Sequence, residues 1–293
     1  MRIIAKADDP IYTEGVVLDA VLRDRLYQAF RKVSADIRKE VDKIIELAKL
    51  DPNLDVISEL EKIDWESKFT GPMLTAWGSV SREAAVEYAL RRLADPTDTT
   101  VNLVQDLVEQ YIGSRGAIQI EGIRDETVRA VRSQLIRSME TREGIRGAAV
   151  GIAQELKNTI GLTQRHAIAV DRLRATLEEN GTPPGQIEIA MRRKYNQLLT
   201  HRANNIARTE TIAARNAGAI VSWQSQQIVG DLPLDAKKTW ISGSSRVCPI
   251  CVQLDGHDPV AVNEAFFSSF VGSVQHPPAH PSCRCSVALV VDT

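Results

Sequence analysis

The chain has 293 residues, 43% of them apolar and 25% charged, with 36 Lys and Arg against 38 Asp and Glu and a net charge of −2. These values fit an ordinary globular protein and exclude a disordered, collagen-like or strongly basic chain. No apolar run reaches the roughly 20 residues of a spanning helix, and Met1 to Pro10 lacks the apolar core of a secretory leader. The expected product is cytoplasmic, without membrane contact, and its cysteines are reduced.

The near-neutral total hides a gradient. Residues 1–123 sum to −6, residues 124–208 to +6, and residues 237–293 to zero. A basic middle can face nucleic-acid phosphates or an acidic partner, although arginines spaced along helices are more often a solvated face.

After an extended start from Pro10 to Gly15, apolar residues from Val17 to Ala48 recur at threes and fours. That period predicts one helix over 16–49, ended by Asp51-Pro52. A short helix is expected near 53–63, and Phe69-Thr70-Gly71-Pro72 reads as a break. Helices near 80–94 and 98–112 follow, the second with Asp98 as its cap. Tyr111 to Gly116 reads as a glycine-marked turn, before a basic helix capped by Asp125 that carries Arg129, Arg132 and Arg137.

From Gly144 the pattern shortens: a helix over 145–160 ending at Gly161, a second over 164–179 capped by Thr163, and a stop and restart at Asn180 to Gly185. Residues 186–229 read as two helices or one bent one, closed by Gly230. Past Asp235 the pattern becomes β-like, with short strands at 238–242, 259–262 and 286–291. The fold class is therefore mainly α: a helical N-terminal body with a small, zinc-stapled α+β C-terminal domain. The predicted domains are 1–144 and 145–293, with a Cys/His-rich β unit at about 235–293.

All four cysteines fall in that unit. Cys248-Pro-Ile-Cys251 has the spacing of two thiolates on one tetrahedral ion, and His280-Pro-Ser-Cys283-Arg-Cys285 adds two thiolates and an imidazole. In extended backbone Cys283 and Cys285 point to one face, and Arg284 points away. One reading is a structural zinc on Cys248, Cys251 and Cys283, completed by Cys285 or His280; His280 could equally hydrogen-bond a ligand from outside. The bland reading is reduced thiols or disulfides. A redox C-x-x-C is weaker, because that chemistry wants the pair at a helix N-terminus after a strand, and Leu254-Asp255-Gly256 turns the chain at once. No cofactor other than zinc is expected.

Other residues invite chemistry less. Arg208-Thr209-Glu210 suggests an ion pair fixing the helix to the C-terminal unit rather than catalysis, since helix neighbours do not face one another. His166 and His201 read as surface or packing residues, His257 as exposed, and Trp223 and Trp240 as core anchors. No Ser-His-Asp order, phosphate-binding glycine loop or H-E-x-x-H helix is present.

The series Arg208-Thr209-Glu210, Asn216-Ala217-Gly218, Trp240-Ile241-Ser242, Cys248 to Cys251, Leu254-Asp255-Gly256 and Pro277 to Cys285 resembles the phage Mu F-like head morphogenesis family over roughly 145–293. In one departure, Ser244-Ser245-Arg246 stands where relatives often carry an acidic residue. The resemblance implies an assembly role rather than a reaction: a low-copy minor head protein at the portal vertex inside the virion, made in the host cytoplasm. Implied partners are the portal protein, the major capsid or scaffolding protein, and packaged double-stranded DNA through 124–208. The competing expectation is a zinc-dependent enzyme acting on nucleic acid or nucleotides, which a closed, thiolate-rich site disfavours.

Overall fold

The computed structural model describes residues 2–3, 11–51, 54–93, 96–140, 159–243 and 247–291. In chain order the elements are β1 (Arg2–Ile3), α1 (Ile11–Leu50), α2 (Val56–Glu61), a π-helical turn (Glu66–Thr70), α3 (Gly71–Leu90), α4 (Asp98–Glu140), α5 (Gln164–Glu179) and α6 (Pro184–Val229). They are followed by β2 (Lys237–Ile241), α7 (Pro249–Asp255), β3 (Val260–Ala261), β4 (Phe266–Ser268), β5 (Gly272–Val274) and β6 (Ser286–Val291). The protein is mainly helical with a small antiparallel sheet near its C-terminus, as its sequence predicts. The helix predicted at 145–160 and the segment Ser244 to Arg246 lie largely or wholly outside the described residues.

Residues 25–76 and 117–203 form one unit. Its part of α1 buries Leu26, Phe30, Val33, Ile37, Val41 and Ile44, the predicted stripe at threes and fours. The same unit buries Phe69, Ile123, Leu162, Val170, Met191 and Leu199. At its centre Arg202, 4% exposed, donates to Thr127 Oγ1 (3.1 Å), to the carbonyls of Gly161 (2.7 Å) and Ile123 (3.2 Å), and to Glu126 (2.8 Å). Its guanidinium also lies over the Phe30 ring. A buried cation is tolerable there because its donors are engaged on all sides.

Residues 1–24, 77–116 and 204–293 form the other unit. Its sheet runs β1-β6-β2-β3, every pairing antiparallel, with β4-β5 as a separate hairpin. Strand β1 brings the N-terminus to the edge of β6, a pairing no local pattern announced. Trp223 and Trp240 anchor the core, with Leu254, Val262, Phe266, Val287 and Leu289. Lys238 shares a strand face with Trp240 and is fully buried. Its ammonium donates to the carbonyls of Val262 and Gln275, each at 2.9 Å, and burial lowers its pKa to about 8. Gly218 lets α6 meet α3 closely, because a Cβ there would sit 2.7 Å from the Ala85 carbonyl.

Several boundaries depart from the sequence reading. Residues 11–15 are helical rather than extended. The Phe69 to Pro72 break is a π-turn running straight into α3, and the chain stays helical through Pro72. The turn predicted at Tyr111 to Gly116 is helix: α4 is continuous over 43 residues, with Asp125 inside it. Buried residues on either side, Ile112 and Ile120, offset the roughly 1 kcal/mol each that Gly113 and Gly116 cost. Thr97 rather than Asp98 caps α4, its Oγ1 accepting from the Thr100 amide at 3.3 Å. Thr163 caps α5 as predicted, accepting from the His166 amide. Residues 184–229 form one helix.

Candidate metal centre

Strand β2 leads to the site. After Ile241 the Ser242 amide and hydroxyl both donate to the Asp255 carboxylate, at 3.1 and 2.9 Å, tying the strand to the end of α7. At Gly243 a Cβ would stand 3.1 Å from the Arg284 carbonyl, a tight approach that glycine makes without displacing the neighbouring backbone.

Contrary to the sequence reading, the C-x-x-C pair does sit at a helix start. Cys248 is the N-cap of α7, accepting from the Cys251 amide at 3.5 Å, and Pro249 occupies the first turn, where proline fits. The i, i+3 spacing, wound into the first helical turn, brings both sulfurs to the same end of α7. Gln253 on this helix accepts from the Ser268 hydroxyl (2.7 Å) and the Ser269 amide (3.1 Å), locking down the β4–β5 hairpin.

The second cluster is held by α6. Thr209 Oγ1 accepts from the Ser282 amide at 3.0 Å. Asn216 accepts from the Val287 amide (3.0 Å) and donates to the Cys285 carbonyl (3.4 Å). Ser282 has φ of 61°, and the Cys283 amide bonds back to the His280 carbonyl, making a tight turn that returns the cysteines toward α7.

The result is a five-donor cluster. His280 Nε2 lies 3.1 Å from Cys248 Sγ and 3.2 Å from Cys251 Sγ, and the Cys251 and Cys283 sulfurs are 3.7 Å apart. Two overlapping triads share Cys251: Cys248, Cys251 and His280, then Cys251, Cys283 and Cys285, with donor atoms in each triad within 4.8 Å of one another. The sulfur pair matches the edge of a tetrahedron with metal–sulfur bonds of about 2.3 Å, roughly 3.8 Å. His280 Nδ1 lies 2.9 Å from the Pro281 carbonyl. That contact places the proton on Nδ1 and leaves the Nε2 lone pair facing the thiols, the form a metal takes. Cys283 and Cys285 are buried and Arg284 is exposed, as the extended reading requires. All four cysteines are free thiols.

The thiols also ionise unequally. Cys285 is pulled down to about 5, first by the Cys283 thiol donating to it, then by the Gly243 amide and the Trp240 indole, against the effect of burial. The indole N–H meets no acceptor at ordinary hydrogen-bond geometry. Cys283 is pushed up by its bond to Cys285, and Cys251 chiefly by burial. A nest of buried thiols that resist ionisation alone gains its missing positive charge from a cation, and binding then releases protons.

The remaining sequence candidates are placed elsewhere. Glu210 is 3% exposed and does not reach the cysteine loop. It accepts from Arg115 on α4 (3.1 and 3.3 Å) and from the Trp77 indole (3.2 Å). Its neighbour Thr209 makes the loop contact instead. His166 and His201 meet edge to face at 5.8 Å, a pairing not foreseen. His257 is half-buried against Phe266, and His276 packs on Tyr111 outside the cluster. Asp255 and Gln253, which position α7, were missed as supporting residues, because only the fold brings their partners to them.

The model of the phage Mu protein F like family matches residues 130–288. The chain belongs to that family. The match takes in both cysteine clusters and the α6 residues that support them, and it begins upstream of the predicted residue 145. Neither a curated relative nor a solved structure matches the chain. Membership points to a phage head morphogenesis protein, whose setting is the virion and whose contacts are other head components. No helix among the described residues is long and apolar enough to cross a membrane.

Proposed function

We propose that this chain is a low-copy minor head protein that sits at the portal vertex inside the phage head and acts as a structural element without catalytic turnover. The family match over 130–288 carries this reading. In it, residues 1–144 dock on the portal protein, and residues 145–293 present a zinc-stapled contact to the major capsid or scaffolding protein.

The zinc is structural and is held by Cys248, Cys251, His280 and Cys283. What supports that set is the His280 Nε2 facing two sulfurs and the tetrahedral-edge spacing of Cys251 and Cys283. Cys285 stands beside the set, with the Gly243 amide helping to lower its pKa. The donor set suits zinc, whose structural sites take four sulfur or nitrogen ligands. A catalytic ion would keep an open position for water, which a fifth donor alongside argues against.

Contact with packaged DNA is favoured by exposed Arg192 and Arg193, which form no ion pair among the described residues. By contrast Arg124, Arg174 and Arg202 of the same basic region are neutralised by Glu66, Glu188 and Glu126.

The test is quantitative mass spectrometry of proheads and full virions from the host strain. A few copies per particle are expected at both stages, and absence from both sinks the head assignment. Metal analysis of the purified chain is expected to give one zinc, kept by Cys285→Ser and lost from Cys251→Ser and His280→Ala. An intact chain without zinc refutes the metal centre while leaving the head assignment standing.

A further inference from the structure

The β4–β5 hairpin turns aromatic side chains to solvent. Along β4, Phe266 and Ser268 are buried, and Phe267 between them points outward, 60% exposed. In the turn that follows, Phe270 is 62% exposed with Val271 beside it, and on α7 Val252 is 57% exposed. Hydrogen bonds fix the backbone that carries them. Gln253 of α7 accepts from Ser268 and Ser269 and donates to the Ser269 hydroxyl at 3.1 Å, and the Phe270 amide donates to the Ser268 hydroxyl at 3.2 Å. Phe267 and Phe270 bracket those serines and Val252 precedes Gln253, so the apolar residues surround one bonded junction. The junction lies wholly within the unit that contains residues 204–293.

This patch is also without charge. From Ala265 to Cys283 the chain has no Asp, Glu, Lys or Arg, and α7 has none before Asp255. At roughly 150–250 Å² per aromatic side chain, the two rings expose about 250 Å², and the valines bring the apolar area to about 400 Å². That is the size at which an exposed patch marks an interaction site. Aromatic enrichment with depletion of charge is the composition found at the core of a protein–protein contact. Nucleic acid finds no cation here to meet its phosphates.

We infer that this patch joins two copies of the chain about a two-fold axis, with Phe267, Phe270 and Val252 of one copy packing on the same residues of the other. An isologous contact sets one patch against itself, so any charge near the axis meets its own sign. A neutral patch escapes that repulsion. A contact built for a different protein draws its register and encounter rate from complementary charges, and this patch offers none. Doubled, it hides about 800 Å² of apolar surface. With apolar atoms making up about 65% of a homodimer contact, the whole interface is about 1,200 Å², the lower end of what specific association requires. The fixed junction keeps the ordering cost of docking small. This inference rests neither on the metal centre nor on the place of the chain in the head.

Sedimentation equilibrium of the full chain, run from about 2 to 200 µM, tests it. The mass is expected to rise from 32.3 kDa toward twice that value and no further. Phe270→Asp and Phe270→Lys, each alone, are expected to weaken association at least about tenfold, because each sets like charges across the axis. An equimolar mixture of the two variants is expected to recover the dimer, which loss of apolar area alone does not allow. Circular dichroism and the melting temperature check that each variant is folded. If either is not, Phe267→Ser combined with Val252→Ser takes its place, with the same tenfold loss required. A chain that stays at 32.3 kDa throughout leaves the patch to another protein and overturns the proposal. So does a dimer that Phe270→Asp leaves intact, growth beyond the dimer, or a mixture of the two charged variants that stays monomeric.

Discussion

Replacing Glu210 tests whether this residue is a structural clamp. Its carboxylate is almost fully buried and accepts from Arg115 and the Trp77 indole at 3.1–3.3 Å. At an effective dielectric of about 20, two unit charges 3.1 Å apart attract by about 5 kcal/mol before desolvation is subtracted. Glu210→Ala removes that attraction, leaves the buried Trp77 N–H without an acceptor at about 1–3 kcal/mol, and strands the Arg115 charge. A net loss of about 3–5 kcal/mol follows, the range for breaking one side of a buried pair. The side chain of Arg115 is 21% exposed, which places the value toward the lower end. Urea denaturation of the full chain reads it as a shift in midpoint without a change in slope. The double variant Arg115→Met, Glu210→Gln, which removes both charges, is expected to cost less than Glu210→Ala alone. A loss below about 1 kcal/mol in Glu210→Ala would refute the clamp and return Glu210 to the candidates for chemistry.

Four further perturbations separate local from tertiary effects. Gly218→Ala forces a Cβ to 2.7 Å from the Ala85 carbonyl and is expected to destabilise by about 1–3 kcal/mol. Gly113→Ala meets nothing within 4 Å in a helix interior and is expected to stabilise by about 0.5–1 kcal/mol, so opposite shifts in thermal midpoint check the pair. His276 is held neutral chiefly by burial, its pKa pushed down from 6.5 to about 4. Between those values the unfolded chain binds the extra proton, so stability falls as pH drops from 6.5 toward 4, by up to roughly 3 kcal/mol. His276→Gln is expected to flatten that limb of a stability-against-pH curve. If the cluster holds zinc as proposed, a chelator is expected to lower the melting temperature of the wild type and leave that of Cys251→Ser unchanged.

The sequence by itself determined whatever depends on neighbours along the chain. The α1 stripe from Leu22 to Ile44, the Thr163 cap and the β6 strand are legible because periodicity and capping are local chemistry. The same holds for the five metal-donor candidates, since two clusters contain every cysteine in the chain. It misplaced boundaries wherever a local signal lost to packing: Gly113 and Gly116 looked like a turn, yet they lie inside the helix α4, in which Ile112 and Ile120 are buried. Only the tertiary structure decided which nitrogen of His280 faces the thiols, because the Pro281 carbonyl and the Ser282 turn set that ring, and Thr209 of α6 sets the turn. It also sent Glu210 to Arg115 rather than to the cysteine loop and carried Arg2–Ile3 to the edge of β6. Such partners lie tens to hundreds of residues apart, where a sequence names both groups but carries no distance between them.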